Sequence, residues 1–328
     1  MPVLITSSSS RLAPRKQDGV ALITAILIAA LVSVIAVSMA TRQTLDIRRT
    51  GNMLEADQAY MYALGMEELA VQVLAIDQRD AGGVDSLTED WATPLPLTVV
   101  EGGSVAGSVE DMQGRFNLNN LIGANNRIDP NQVRAFQAIL AQVSAANEKI
   151  QISPFMANRV VDWIDADLDS SADGAEDLEY LNADIPYRTS NQFMASPTEL
   201  GAMLGMSPED MGALLPFVSA LPITTTVNIN TASETVLLGL HQGITASIAG
   251  ELVEFRNESV FENRADFERR LLDNYSIPAN EISPFDINSS YFLVSIDASI
   301  GRTQLRMYSL LERIDGRVRT IRRSIGTY

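Results

Sequence analysis

The sequence predicts an α+β fold: a long N-terminal helix and an antiparallel sheet, with a large all-helical insertion interrupting the sheet. Three observations predict it. Residues 20–40 form an uncharged apolar run, and helical spacing of apolar residues continues beyond it. Alternating apolar stretches separated by Gly-containing turns occur near residue 100 and again in the last forty residues. Between them, residues 115–286 read as short helices punctuated by proline.

Residues 1–19 are polar and Ser-rich and carry Arg11, Arg15, Lys16 and Asp18 before Gly19. The next 21 residues hold no charge, and at 1.5 Å rise per residue they span about 31 Å, one bilayer core. Cations precede the run, and beyond Arg42, Arg48 and Arg49 the chain turns acidic. The positive-inside rule therefore holds the first residues in the cytoplasm and exports the rest. Three readings compete for this segment: a signal peptide cut after Ala40, a signal anchor, and a leader cut after Gly19. The first expects an apolar region of about 7–15 residues, shorter than this one. Leu45, Ala56, Ala59, Ala63, Leu64, Leu69, Val71 and Leu74 carry the helix on to about Asp77, with Gly51 as its weak point.

Gly82-Gly83, Pro94 and Pro96 then mark a loop. Strands at 97–100 and 104–110 form a hairpin about Gly102-Gly103, and strands at 291–298, 302–313 and 317–325 turn at Ile300-Gly301 and Asp315-Gly316. Within the insertion, Pro130, Pro154, Pro197, Pro208 and Pro216 serve as stop signals. Phe116-Asn117-Leu118-Asn119 echoes Val227-Asn228-Ile229-Asn230, and both read as short strands entering helical subunits. The expected segments are 1–19 (leader), 20–112 (helix and first strands), 113–286 (insertion) and 287–328 (final strands).

Composition narrows the function. With 24 Lys and Arg against 41 Asp and Glu, the net charge of -17 repels phosphate backbones. The absence of cysteine excludes disulfides, thiolate zinc sites, Fe–S clusters and cysteine nucleophiles. One histidine, His241, excludes multi-histidine metal sites and disfavours a Ser-His-Asp triad. No acid–base pair, Gly-rich phosphate loop or metal-hydrolase spacing appears, so the chain is expected to bind or assemble rather than catalyse.

Two motifs stand out in the insertion. Residues 162–184 hold nine carboxylates and no base. Such a run is either solvated or bridged by a hard cation, for which oxygen ligands in this number suit calcium. Counted from Asp165, acids fall at loop positions 1, 3, 5, 9 and 12, but Ser170 stands where an EF-hand needs Gly and Ala172 where it needs a β-branched residue, which favours an irregular calcium loop. Residues 228–256 resemble the helix-hairpin-helix units of DNA-binding competence proteins, with the same Asn-Ile-Asn-Thr-Ala start. Here the hairpin Gly243-Ile244-Thr245 lacks the second Gly, and Glu234, Glu251 and Glu254 surround a lone Arg256. The unit therefore reads as a fold kept without its phosphate site, and no nucleic-acid partner is expected. Trp91 and Trp163 read as packing anchors. Arg313, Arg317, Arg319, Arg322 and Arg323 read as outward charges on an edge strand or as a docking face for an acidic neighbour.

A charged leader that ends in Gly at the start of an unbroken apolar helix resembles the type IV prepilin signal. That resemblance implies a membrane peptidase that cuts between Gly19 and Val20 and methylates the new amine, and a pilin-like arrangement of helix and sheet. Pilin-like proteins carry Glu at the fifth mature position, where this chain has Thr24. A carboxylate at that depth costs about 2.5–3.5 kcal/mol unless paired, whereas Thr returns its hydroxyl to a carbonyl one turn back. Loss of that Glu, together with GRFNLNNL at 114–121, VVDWIDAD at 160–167, GAEDLEYL at 174–181 and ASPTELGAM at 195–203, resembles the protein K family of type II secretion minor pseudopilins.

This second resemblance implies a single-pass inner-membrane protein of a Gram-negative bacterium, with its globular part in the periplasm. Its partners would be the minor pseudopilins I and J, the major pseudopilin and the prepilin peptidase, and at the filament tip the outer-membrane channel or secreted substrates. Some members of the family bind calcium in the helical domain, which favours calcium here, with Asp165, Asp167, Asp169, Asp173, Glu176 and Asp177 as ligands. The alternatives are a membrane-anchored DNA receptor and a minor type IV pilin.

Overall fold

The computed structural model describes residues 18–80, 83–123 and 125–328. The leader cations Arg11, Arg15 and Lys16, and Gly82 of the expected loop, lie outside the described residues. The chain divides into two compact units, 1–55 and 56–328.

In the first unit, helix α1 (Asp18–Asp80) carries the apolar run and passes Gly51 without a break. All side chains from 20 to 50 are exposed, and an 18-residue window reaches a mean hydropathy of 3.0. The segment is long and apolar enough to cross a membrane. Its hydroxyls are satisfied within the helix: Thr24 Oγ1 donates to Val20 O and Ala21 O at 3.0 Å, and Ser33 Oγ donates to Ala29 O at 2.8 Å.

In the second unit, α1 becomes amphipathic. Ala59, Ala63, Met66, Ala70 and Leu74 are buried at three- and four-residue spacing, which places them in one stripe. Strands β1 (Leu95–Val100) and β2 (Gly103–Asp111) follow. The insertion comprises β3 (Phe116–Asn117), α2 (Pro130–Ala146), α3 (Met156–Ile164), α4 (Asp177–Leu181), α5 (Pro208–Leu214) and β4 (Val218–Ser219). It continues with β5 (Val227–Asn228), α6 (Glu234–Leu238), α7 (Ala246–Glu258), α8 (Arg264–Tyr275) and β6 (Phe285–Asp286). Finally come β7 (Tyr291–Ile300), β8 (Thr303–Ile314) and β9 (Arg317–Ile325), whose last turn has Asp315 and Gly316 at φ 50° and 76°, the left-handed pair an Asp-Gly hairpin requires.

The main sheet has the order β1-β2-β7-β8-β9, antiparallel throughout. Val105 of β2 stands opposite Ala298 of β7, so the chain leaves the sheet after β2 and re-enters beside the same strand. The expected α+β plan, helix plus interrupted antiparallel sheet, is the observed one. Phe292, Val294, Ile296, Ala298 and Ile300 alternate onto the α1 side and pack with Trp91, Met307 and Leu311. On the other face Tyr291, Leu293 and Leu310 meet Met112, just after β2, and Leu221 of the insertion, which is why both faces of early β7 are buried.

The insertion is not purely helical: its two lobes each open on a strand pair. β3 pairs with β4 and β5 with β6, both in parallel. The echoing Asn-x-Asn runs explain it. In each, the first Asn Oδ1 accepts the N–H two residues on (Asn119 at 3.1 Å, Asn230 at 3.0 Å). The second Asn clamps a distant backbone through both donor and acceptor, Asn119 to Met194 and Asn230 to Phe261. The prolines act differently from expectation. Pro130 and Pro208 sit at the first helical position after the caps Asp129 and Ser207, and Pro197 opens a 3₁₀ turn, because a missing N–H costs nothing there.

Candidate functional site

Gly19 and Val20, the expected processing pair, lie in the first turn of α1. The acidic loop begins where α3 ends. Asp162, on the last turn of α3, is fully buried and accepts the Ser171 N–H through both carboxylate oxygens at 3.1 Å, folding the loop back on the helix. Gly174 fits closely against it, since a Cβ there would lie 1.9 Å from Asp162 Oδ2. The turn itself uses Asp173, at φ 59°, rather than the missing EF-hand glycine.

Folded in this way, the loop brings Asp165, Asp167 and Glu176 together, with one oxygen of each within 4.8 Å of the others. These are positions 1, 3 and 12 of the spacing. Asp165 and Glu176 are buried, and Asp165 Oδ1 and Glu176 Oε1 have no hydrogen-bond partner. Burial, with Asp167, Asp162 and Glu176 adding repulsion, pushes the Asp165 carboxyl up to about 7. Burial also raises Glu176, opposed by Thr189, which donates to it. Two buried carboxylate oxygens without a donor, in a group of three clustered carboxylates, fit a hard cation with several oxygen ligands.

The other three candidates lie outside this group. The Asp177 carboxylate is occupied by Arg188 at 2.9 Å and by Thr189 N–H and Oγ1. Asp169 and Asp173 are exposed on the loop's outer side. Asp162 was not legible as the loop's organiser, because its burial depends on how α3 packs.

A second carboxylate group, Asp77, Asp85 and Glu89, assembles from α1 and the loop after it. Arg313 of β8 already pairs with two of the three: its guanidinium bonds Asp77 at 3.0 Å and Asp85, and lies 4.6 Å from the Phe292 ring centre. Burial, with Glu89 and Asp85, still pushes Asp77 up to about 6. The C-terminal arginines divide: Arg317, Arg319 and Arg323 are outward charges on the edge strand β9, as one sequence reading has it, whereas Arg313 turns inward. Arg313 is buried, Arg319 bonds Glu312, Arg323 bonds Glu67 of α1 through two 2.7 Å contacts, and Arg322 stacks on Tyr328. Arg313 and Arg323 pair within the chain because α1 presents Asp77 and Glu67 to the sheet.

A buried polar seam joins insertion and sheet. Asp111, at the end of β2, accepts from Asn228 Nδ2 at 3.0 Å, Ser289 Oγ at 2.7 Å and Thr231 Oγ1. Burial raises its carboxyl, and the Thr231 and Ser289 hydroxyls and the Gln113 N–H pull against that. The helix-hairpin-helix fold is present as α6 and α7, but its phosphate-binding groups are engaged elsewhere. Gly243 N–H donates to His241 Nδ1 at 2.9 Å, and Arg256 is buried with Nη1 on Ile229 O at 2.6 Å. Desolvation lowers the Arg256 guanidinium to about 10. His241 Nε2 lies 3.3 Å from Glu281. Trp91 and Trp163 are buried anchors, Trp91 edge-on to Phe292 at 5.3 Å and Trp163 to Tyr180 at 5.4 Å.

Family models described as type II secretion system protein K match residues 114–223 and 227–279, one for each Asn-x-Asn lobe. The type II secretion system protein K of Pseudomonas aeruginosa is 37% identical over 320 residues, covering 95% of this chain and 94% of that protein. That of Aeromonas hydrophila is 32% identical over 91% of this chain and 94% of its own length. Among solved structures, the GspK-GspI-GspJ complex of the enterotoxigenic Escherichia coli type 2 secretion system contains a chain with the same fold. It matches at TM-score 0.70 and 23% identity, covering 85% of this chain and 100% of that one.

Proposed function

The chain belongs to the type II secretion system protein K family, and from that premise we propose that it is the minor pseudopilin that initiates or caps the secretion pseudopilus. One observation supports the terminal position most strongly: the sheet is interrupted between β2 and β7 by an insertion of about 170 residues. A bulge of that size does not fit between neighbours in a thin helical filament but has room at its end. Thr24, which closes its hydroxyl on its own helix, needs no subunit ahead of it.

In this reading the prepilin peptidase cuts between Gly19 and Val20 and methylates the new amine. The exposed apolar half of α1 first holds the protein in the inner membrane with residues 56–328 in the periplasm, then packs against the helices of minor pseudopilins I and J and onto the major pseudopilin. The tip then meets the outer-membrane channel or secreted proteins. The role is structural rather than enzymatic.

Calcium belongs to the same reading. Asp165, Asp167 and Glu176 would hold it, and when bound it would supply the positive charge that these crowded carboxylates lack. Asp162 and Gly174 shape the loop that presents them.

Amino-terminal analysis of the membrane-purified protein tests the proposal. N-methylated Val20, with co-purification of proteins I and J, is expected. A start at Thr41 would refute it.

A further inference from the structure

The insertion bears an apolar surface around the acidic loop that its own core does not use. Leu168, Leu178, Leu181, Ile185 and Phe193 are exposed by 62, 69, 42, 80 and 37%. Large apolar side chains gathered in this way mark interaction sites in soluble domains. Local bonds gather the segments that carry them. Asn191 donates its N–H to Trp163 O at 3.0 Å and its amide to Asp167 O at 3.3 Å, drawing Phe193 toward Leu168. Thr189 bonds Asp177 at the start of α4, and Tyr187 N–H reaches Tyr180 O, folding Ile185 back on that helix. Leu178 and Leu181 are one turn apart on α4.

The same surface is strongly acidic. Asp167, Asp169, Asp173, Glu179 and Asp184 are exposed between the apolar residues. Residues 162–193 contain one base, Arg188, which Asp177 already holds at 2.9 Å. An anionic lipid surface would be repelled, as would a second copy of a chain with net charge -17. Of the arginines of β8 and β9, Arg306, Arg313, Arg319 and Arg323 are engaged within this chain at Asp297, Asp77, Asp85, Glu312 and Glu67.

We propose that this surface seats a cationic, apolar polypeptide segment of another protein. Its apolar side chains lie on Leu178, Ile185 and Phe193 while its Lys or Arg residues meet Asp169, Glu179 and Asp184. Apolar contact supplies the affinity, and the acidic rim selects the partner and speeds its approach. The proposal rests on the terminal position argued above for its setting, because the insertion must be free of neighbouring subunits, but it does not rest on bound calcium.

Fluorescence anisotropy with the purified full-length protein tests it. The probe is a fluorescein-labelled 18-residue amphipathic peptide of Leu and Lys, with controls carrying Glu for Lys and Ser for Leu. Binding of the Leu-Lys peptide is expected in 150 mM NaCl with calcium or with chelator, and neither control should bind. The double variant Leu178→Ser/Ile185→Ser should weaken it at least tenfold. Asp169→Asn/Asp184→Asn should weaken it about threefold and flatten its salt dependence.

Equal binding by parent and apolar variant would overturn the proposal, as would equal binding of the Glu peptide or no binding at 1 mM peptide. So would sedimentation showing that the parent self-associates through this surface and the apolar variant does not. Loss of peptide binding leaves co-purification with proteins I and J unaffected, whereas loss of co-purification alone would overturn only the terminal position.

Discussion

Asp165 shows how packing sets one residue apart within a charge run. In the sequence it is one of nine acids. In the fold it is buried, its carboxyl pushed up to about 7, with an oxygen left unpaired. The sign of its linkage is opposite to that of a salt-bridged aspartate. A carboxyl whose folded value lies above its unfolded value near 3.9 binds its proton more tightly in the native state, so ionisation opposes folding. In chelator, the melting temperature should therefore fall as pH rises from about 4 to about 7, and Asp165→Asn should flatten that fall. Calcium at about 100 times its Kd should add about 2.7 kcal/mol to the parent and nothing to Asp165→Asn, read by denaturant titration with and without EDTA. Arg313 offers the converse case. Arg313→Met leaves Asp77 and Asp85 buried without their cation and should cost about 3–5 kcal/mol at pH 7. Part of that loss should return at pH 5, because Asp77 can then take up a proton.

Helix α1 changes its job along its length. From residue 20 to 40 its side chains are exposed and, but for Thr24, Ser33 and Ser38, apolar, as a bilayer or neighbouring helices require; from Ala59 its alanines let the backbone approach the sheet closely. Ala63 has no exposed surface, so Ala63→Leu should overpack that contact and cost about 1–3 kcal/mol in chemical denaturation. Thr24→Glu tests the other half. An unpaired carboxylate there should cost about 2.5–3.5 kcal/mol and reduce the membrane-inserted fraction, measured by carbonate extraction. The hairpin at 228–256 teaches a related lesson about elements. Its helices form as the motif foretold, but Gly243 and Arg256 are used to close the lobe, so the outline of the motif survives without its phosphate-binding surface.

The whole molecule joins a sheet domain to a two-lobed insertion through the buried seam at Asp111, Asn228 and Ser289. The acidic loop belongs to the insertion's own first lobe, whose core is distinct from that of α1 and the sheet. Chelation should therefore loosen the insertion without loosening the sheet. Hydrogen exchange is expected to accelerate in residues 165–193 on adding EDTA and to stay unchanged in β7 and β8. Much of this plan was legible along the chain. The apolar run, the Gly-punctuated strands and the paired Asn-x-Asn segments are local patterns, and local pattern alone set the helix, the hairpins and the entry to each lobe. The acids at positions 1, 3 and 12 were also visible as spacing. Tertiary structure decided which carboxylates lose water and which find a partner: Asp165 and Glu176 are left facing one another, Asp177 is claimed by Arg188, and Asp77 and Asp85 are closed by an arginine more than two hundred residues away. Burial and long-range pairing are properties of packing, and no spacing rule along the chain encodes them.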